Sequence, residues 1–130
     1  MPKVNLIQEE AFTFALQTMA LAKRLRMEKE YEPASQLWRA GMSIGANVEK
    51  TQAAQSKADF HAKTAIASKE AGEALYWLRL AEKGEVLAVG DLASAKTQCE
   101  RIVQILTSIV KIVRMAMPAS KIKHSASKNL

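Results

Sequence analysis

Residues 35–60 read SQLWRAGMSIGANVEKTQAAQSKADF, and this stretch decides the fold. Its first half sets small residues (Ala40, Gly41, Ser43, Gly45, Ala46) between larger apolar ones (Leu37, Trp38, Met42, Ile44, Val48). Its second half ends in a helix-start signal, so the stretch reads as one thin helix, a turn and the head of the next. Glycine inside a helix costs roughly 1 kcal/mol against alanine. Gly41 and Gly45, four apart on one face, therefore need a structural reason, such as close approach of another backbone. That predicts a central helix pressed against its neighbours.

Working outward, Leu37, Gly41, Ile44, Val48 and Thr51 alternate at spacings of four and three, an inward seam for a helix over about 34–53. Glu30 to Pro33 reads as the connection before it, because proline disfavours helix at the preceding residue yet suits a first helical turn. Upstream, Asn5 with Gln8 has the form of a capping box, and Ile7, Phe14, Leu21 and Leu25 recur at helical spacing to about residue 29, with Phe12, Leu16 and Met19 beside them. Downstream, Ser56 and Asp59 form a second capping box after a break near Gln55.

The third helix is expected over 57–83, with Phe60, Thr64, Ala67, Ala71, Ala74, Leu78 and Ala81 inward and Gly84 as its C-cap. Gly90 and Asp91 mark a turn before a fourth helix over 91–115, whose seam is Leu92, Cys99, Ile102, Leu106, Ile109 and Val113. Val103, Ile105, Val110 and Ile112 spread apolar surface around much of that helix, which makes it the most buried one or part of a subunit contact. Residues 1–117 thus read as one all-α, four-helix domain. Residues 118–130 lack apolar periodicity and read as a disordered basic tail bearing Lys121, Lys123 and Lys128.

Composition agrees with that class. In 130 residues there are only five glycines and three prolines, which favours long helices over many short strands. The formal net charge of +6 allows an anionic partner, but the tail supplies three of those charges, so the folded body is only mildly basic. A single cysteine, Cys99, excludes an intramolecular disulfide and a CxxC site. The N-terminus reaches acidic residues too early for a secretory h-region, and no uncharged apolar run approaches 18 residues. A cytoplasmic protein without membrane association is expected.

The segments SIGANVEKTQAAQSKADF at 43–60, HAKTAIASKEAGEALYWLRLAE at 61–82 and CERIVQILTSIVK at 99–111 carry a further signal. Together they resemble the bacterial four-helix-bundle proteins related to those encoded in intervening sequences of 23S ribosomal RNA genes. The N-terminal helix and Arg39-Ala40 also fit. This resemblance implies an antiparallel up-and-down four-helix bundle assembling into a ring-shaped homopentamer. One branch of these proteins contains the accessory protein of diversity-generating retroelements, which binds its reverse transcriptase and nucleic acid through a basic surface. Two departures stand out. Many relatives carry an NIAEG-like segment where this chain has Asn47, Val48, Glu49 and Lys50, and Gly72 stands where arginine is common. The first change adds positive charge and the second removes it.

Catalysis finds little support in the residues. The di-iron pattern Glu-x-x-His is missing, since Glu70 is followed three residues on by Glu73 and His61 has no carboxylate at the required offset. His61 reads as a satisfied or exposed histidine, and Cys99 as a buried residue of the helix-four seam. Gly41 and Gly45 do not end in the GK[ST] of a phosphate loop, and no cofactor is expected. Ser43 and Asn47, four apart, are expected to hydrogen-bond across the bundle or cap the adjoining turn. Tyr76 and Trp77 read as packing residues before base-stacking ones.

The best anion-binding candidates are Lys23, Arg24, Arg26 and Lys29, joined by Arg39, Lys50 and Lys57. The expected function is a non-enzymatic homo-oligomeric scaffold that binds RNA, DNA or a nucleic-acid-processing protein such as a reverse transcriptase. In a ring, copies of a modest patch gain avidity along one polymer. The alternative is a protein-interaction module that docks through helix four and binds no nucleic acid.

Overall fold

The computed structural model describes residues 2–118, and side chains from residue 6 onward with the exception of Val89. The chain folds as α1 (Pro2–Met27), α2 (Tyr31–Lys50), a 3-10 turn (Thr51–Ala53), α3 (Lys57–Lys83) and α4 (Val89–Met115). The described residues contain no strand. Residues 119–130, with Lys121, Lys123 and Lys128, lie outside the described part, as does the expectation of a disordered tail.

Several boundaries move from those the sequence predicts. Helix α1 begins at Pro2, ahead of Asn5, because proline lacks only an amide that a first turn leaves unbonded anyway. The Asn5 side chain lies outside those described. Helix α2 begins at Tyr31 and keeps Pro33 in its first turn. Helix α4 starts at Val89, after an extended Ala88, so Gly90 is helical and Asp91 sits in the first turn.

The second capping box forms. The Ser56 hydroxyl accepts from the Asp59 amide at 3.0 Å, and the Asp59 carboxylate accepts from the Gln55 amide at 3.1 Å, one residue earlier than in the standard box. Helices α1 and α3 end in one shared way. The Glu30 amide donates to Leu25 O at 2.8 Å and the Lys29 amide to Arg26 O at 2.9 Å. Val86 donates to Ala81 O at 3.0 Å and Glu85 to Glu82 O at 3.2 Å. These are Schellman pairs, and their left-handed residues are Lys29 (φ 62) and Glu85 (φ 56), where glycine is usual. Gly84 is the C-cap of α3, as expected, with φ −82 and ψ 0, and the left-handed residue is the one that follows it.

Each helix packs on the next and α4 returns to α1, so α1 and α3 occupy opposite corners. Polar links show that neighbours run antiparallel. Gln8 meets Glu49 across α1 and α2, Arg39 meets Glu70 and Glu73 across α2 and α3, and Lys96 meets Glu82 across α3 and α4. The α4–α1 seam is closed by Arg101 to Glu10 at 2.9 Å, Gln17 to Ser94 at 3.1 Å and Arg24 to Asp91 at 2.6 Å.

The predicted seams are the core. Ile7, Phe14, Leu21, Leu25, Leu37, Ile44, Val48, Leu78, Leu92, Ile102 and Leu106 are all buried, and only Phe60, Ile109 and Val113 of the named seam residues are part-exposed. Ala67, Ala71 and Ala74 are fully buried and keep α3 close to its neighbours. Gly41 has the expected reason for being glycine. A β-carbon there would lie 2.9 Å from Thr18 Cβ and closer still to Thr18 Oγ1, so α1 and α2 touch at this point. Gly45 does not share it, since the nearest atom to a β-carbon is Ala11 O at 3.9 Å, an ordinary contact. Gly45 instead forms part of the floor of an open groove between α1 and α2.

Candidate nucleic-acid interface

The candidate cations do not form one patch. Lys23, Arg24, Arg26 and Lys29 lie at the end of the bundle where α1 gives way to α2. Lys50 and Lys57 lie at the opposite end, where α2 gives way to α3. Helix α2, 20 residues long, separates the two ends by about 30 Å. Arg39 sits between them.

Two of these side chains are already engaged. Arg24 pairs with Asp91 at 2.6 Å, and that hydrogen bond holds the Asp91 carboxyl below its ordinary range. Arg39 bridges Glu70 at 2.9 Å and Glu73 at 2.5 Å, so its charge is spent between helices. Arg26 lies over the Trp38 ring at 5.3 Å, which fixes its direction while leaving it exposed. The same end also carries Glu28, Glu30, Glu32 and Glu85, so its local charge is mixed.

The other end carries more unpaired cations than acids, with Glu9 and Glu49 on its α1–α2 side. There α4 terminates beside the start of α3, as the shared lining of one surface cavity by Ser56, Lys57, Ala116, Met117 and Pro118 shows. This brings Lys111 and Arg114 to the end that holds Lys50 and Lys57, and all four are exposed. None of them has an ion pair among the described residues. Sequence reasoning passed over Lys111 and Arg114. Their spacing of three places them on one helix face, but only the antiparallel order of α2, α3 and α4 joins them to Lys50 and Lys57.

His61 lies beneath this end and departs from expectation. It is 4% exposed, and neither ring nitrogen has a hydrogen-bond partner. Burial lowers its pKa, and the nearby Arg114 charge lowers it further, so the ring is neutral at physiological pH. Ser43 and Asn47 also differ from expectation. Asn47 Nδ2 donates to Ser43 O at 2.9 Å, within α2 and not across the bundle. That contact satisfies a part-buried amide by local back-bonding.

Cys99 is fully buried, donates weakly to Ala71 O at 3.4 Å, and has its thiol pKa pushed up to about 12 by burial, with Glu100 adding to the rise. It is therefore a packing residue in its protonated form. Tyr76 and Trp77 meet edge to face at 5.8 Å; Trp77 packs on the core and Tyr76 is 55% exposed. Among the described residues no group of His, Cys, Asp and Glu could hold a metal ion, and no helix is long and apolar enough to cross a membrane.

Comparison with known proteins agrees with this architecture. A solved structure from Bacteroides thetaiotaomicron VPI-5482, a protein of unknown function from the S23 ribosomal protein family, is 36% identical and superposes with a TM-score of 0.78. The match covers 84% of this chain and 98% of that one. No curated protein matches the chain. The family model described as 23S rRNA-intervening sequence protein matches residues 3–108, from the first turn of α1 into α4, and the chain belongs to that family.

Proposed function

We propose that the protein is a non-enzymatic homo-oligomeric scaffold, a pentameric ring, that binds RNA or DNA, or a nucleic-acid-processing protein such as a reverse transcriptase, through basic surface. One observation carries the anion-binding part: Lys50, Lys57, Lys111 and Arg114 converge on one end of the bundle without ion pairs among the described residues. Unpaired exposed cations release counterions when they meet phosphates, which gives salt-dependent and sequence-independent affinity. In sequence, Lys121, Lys123 and Lys128 follow the same end. Replication of this end around a ring would present it repeatedly to one polymer. A buried, protonated Cys99 and a neutral, buried His61 support a role without catalysis.

The test is made on the purified full-length chain. Solution mass should be a multiple of 14.3 kDa, and generic RNA and DNA should bind at low salt and dissociate as salt rises. A monomer would remove the ring, and no binding at low salt would remove the nucleic-acid role. A second reading, a protein-docking module without nucleic acid, is favoured by Ile112 and Met115 on α4, exposed by 55% and 78%, and by Leu6, 49% exposed, which lines a surface cavity with Ile105 and Ile109. Retained binding of a partner protein by a chain that never binds nucleic acid would favour it.

A further inference from the structure

Two apolar surfaces on different sides of the bundle remain uncovered. The first is the groove between α1 and α2, of about 330 Å³, walled by Phe12, Leu16, Met19 and Met42 and floored by Gly45 and Ala46. Phe12 and Leu16 stay 65% and 53% exposed. They flank the α1 seam, and no described residue covers them. At one end of the groove stand Glu9 and Glu49, both exposed and without ion pairs among the described residues.

The second surface is the outer stripe of α3. Gly72, Tyr76 and Leu80 lie four apart on one face, with Tyr76 55% and Leu80 44% exposed. Among the described residues nothing lies within 4 Å of a β-carbon built on Gly72, so the stripe is open one turn before Tyr76. Its flanks are Lys69, Arg79 and Lys83, all exposed and without ion pairs among the described residues. The groove is thus apolar and acid-edged, and the stripe is apolar and base-edged.

These two surfaces cannot meet within one molecule, because α1 and α3 stand at opposite corners. We infer that the groove between α1 and α2 receives the outer stripe of α3 from a second copy of this chain. The contact is head to tail: each subunit offers one groove and one stripe, so the interface is heterologous, the kind that builds a ring when its rotation closes. Tyr76 enters between Phe12 and Leu16, while the α3 cations reach Glu9 and Glu49. Glycine at position 45 keeps the socket open. The inference rests on the oligomeric reading above and assigns its surfaces.

Complementation tests it with full-length protein. A socket variant, Phe12→Asp with Leu16→Asp, and a stripe variant, Tyr76→Asp with Leu80→Asp, change exposed residues, and circular dichroism verifies that each remains helical. Each alone is expected to fall from the wild-type assembly to the 14.3 kDa monomer in light scattering. Mixed in equal amounts, they should give a species of twice that mass, because one intact socket then meets one intact stripe. Two variants that stay monomeric when mixed, or either variant retaining the wild-type mass, would overturn the pairing while leaving the oligomer standing. A stripe variant that keeps its mass but loses generic RNA would mark α3 as a nucleic-acid face and overturn it also. A wild-type monomer would overturn both this pairing and the ring.

Discussion

Alanine at Gly41 and alanine at Gly45 should change stability in opposite directions, although the two glycines lie one turn apart in α2. In both cases the unfolded chain loses backbone freedom and the helix gains about 1 kcal/mol of propensity. At Gly45 nothing opposes that gain, because the nearest atom to the new methyl is Ala11 O at 3.9 Å. At Gly41 the methyl meets Thr18 Cβ at 2.9 Å, and Thr18 is 0% exposed with its hydroxyl bonded to Ala15 O at 2.8 Å. The threonine cannot swing away, so α1 and α2 must separate. Overpacking of this kind costs about 1–3 kcal/mol, and contact at the β-carbon itself places it in the upper half of that range. Gly41→Ala should therefore lose roughly 1–2 kcal/mol and Gly45→Ala gain about 1 kcal/mol. Urea denaturation in the Tyr76→Asp/Leu80→Asp background keeps subunit contacts out of the comparison. Equal or greater stability of Gly41→Ala relative to Gly45→Ala would refute the close approach of α1 and α2.

Three further outcomes follow from other parts of the molecule. Glu85→Gly should stabilise by about 0.5–1 kcal/mol, since a left-handed residue with a side chain costs about 1–2 kcal/mol and glycine returns part of that as chain entropy; an unchanged urea midpoint would contradict the strain. His61 has its pKa lowered by burial, so the folded state favours the neutral ring and the unfolded chain binds the proton more readily. Its contribution is complete above the unfolded value near 6.5 and is lost as pH falls below it. Between pH 7.5 and 5.5 the wild type should thus lose more stability than His61→Phe, and identical losses would show that His61 does not titrate on unfolding. Cys99, with a thiol pKa of about 12 and no exposure, should resist alkylation under native conditions and react fully in denaturant; rapid native labelling would contradict its burial.

The helices and their inward faces were legible in the chain because apolar spacing records them locally. Leu37, Ile44 and Val48 on α2, and Ala67, Ala71 and Ala74 on α3, are buried as the period predicts. The Ser56 cap was legible for the same reason, since its partner lies three residues on. What the period could not provide was the meaning of each glycine. Gly41 and Gly45 look alike in sequence, yet one touches Thr18 and the other opens a groove. The left-handed positions were hidden as well, because Lys29 and Glu85 are not the residues that usually signal them.

The surface was less legible than the core, for a physical reason. A cation in sequence is available or spent according to partners far along the chain. Arg24 finds Asp91 and Arg39 finds Glu70 and Glu73 only once the helices are antiparallel. The same topology gathers Lys111 and Arg114 with Lys50 and Lys57, which no local spacing joins. The apolar spread of α4 predicts either the most buried helix or part of a subunit contact; of the residues that carry it, Val103, Ile105 and Val110 are half-buried and Ile112 is exposed. The larger open groove lies instead between α1 and α2, where Phe12 and Leu16 stand beside the seam.

The central claim is that the end of the bundle bearing Lys50, Lys57, Lys111 and Arg114 meets the phosphates. The slope of log affinity against log salt for single-stranded RNA tests it most directly, because it changes by about 0.7 for each phosphate that the protein ceases to neutralise. The account predicts that Lys111→Gln with Arg114→Gln flattens the slope by about 1.4 per protomer engaged, whereas Lys23→Gln with Lys29→Gln leaves it unchanged. A slope that survives the first pair and collapses with the second would contradict the account.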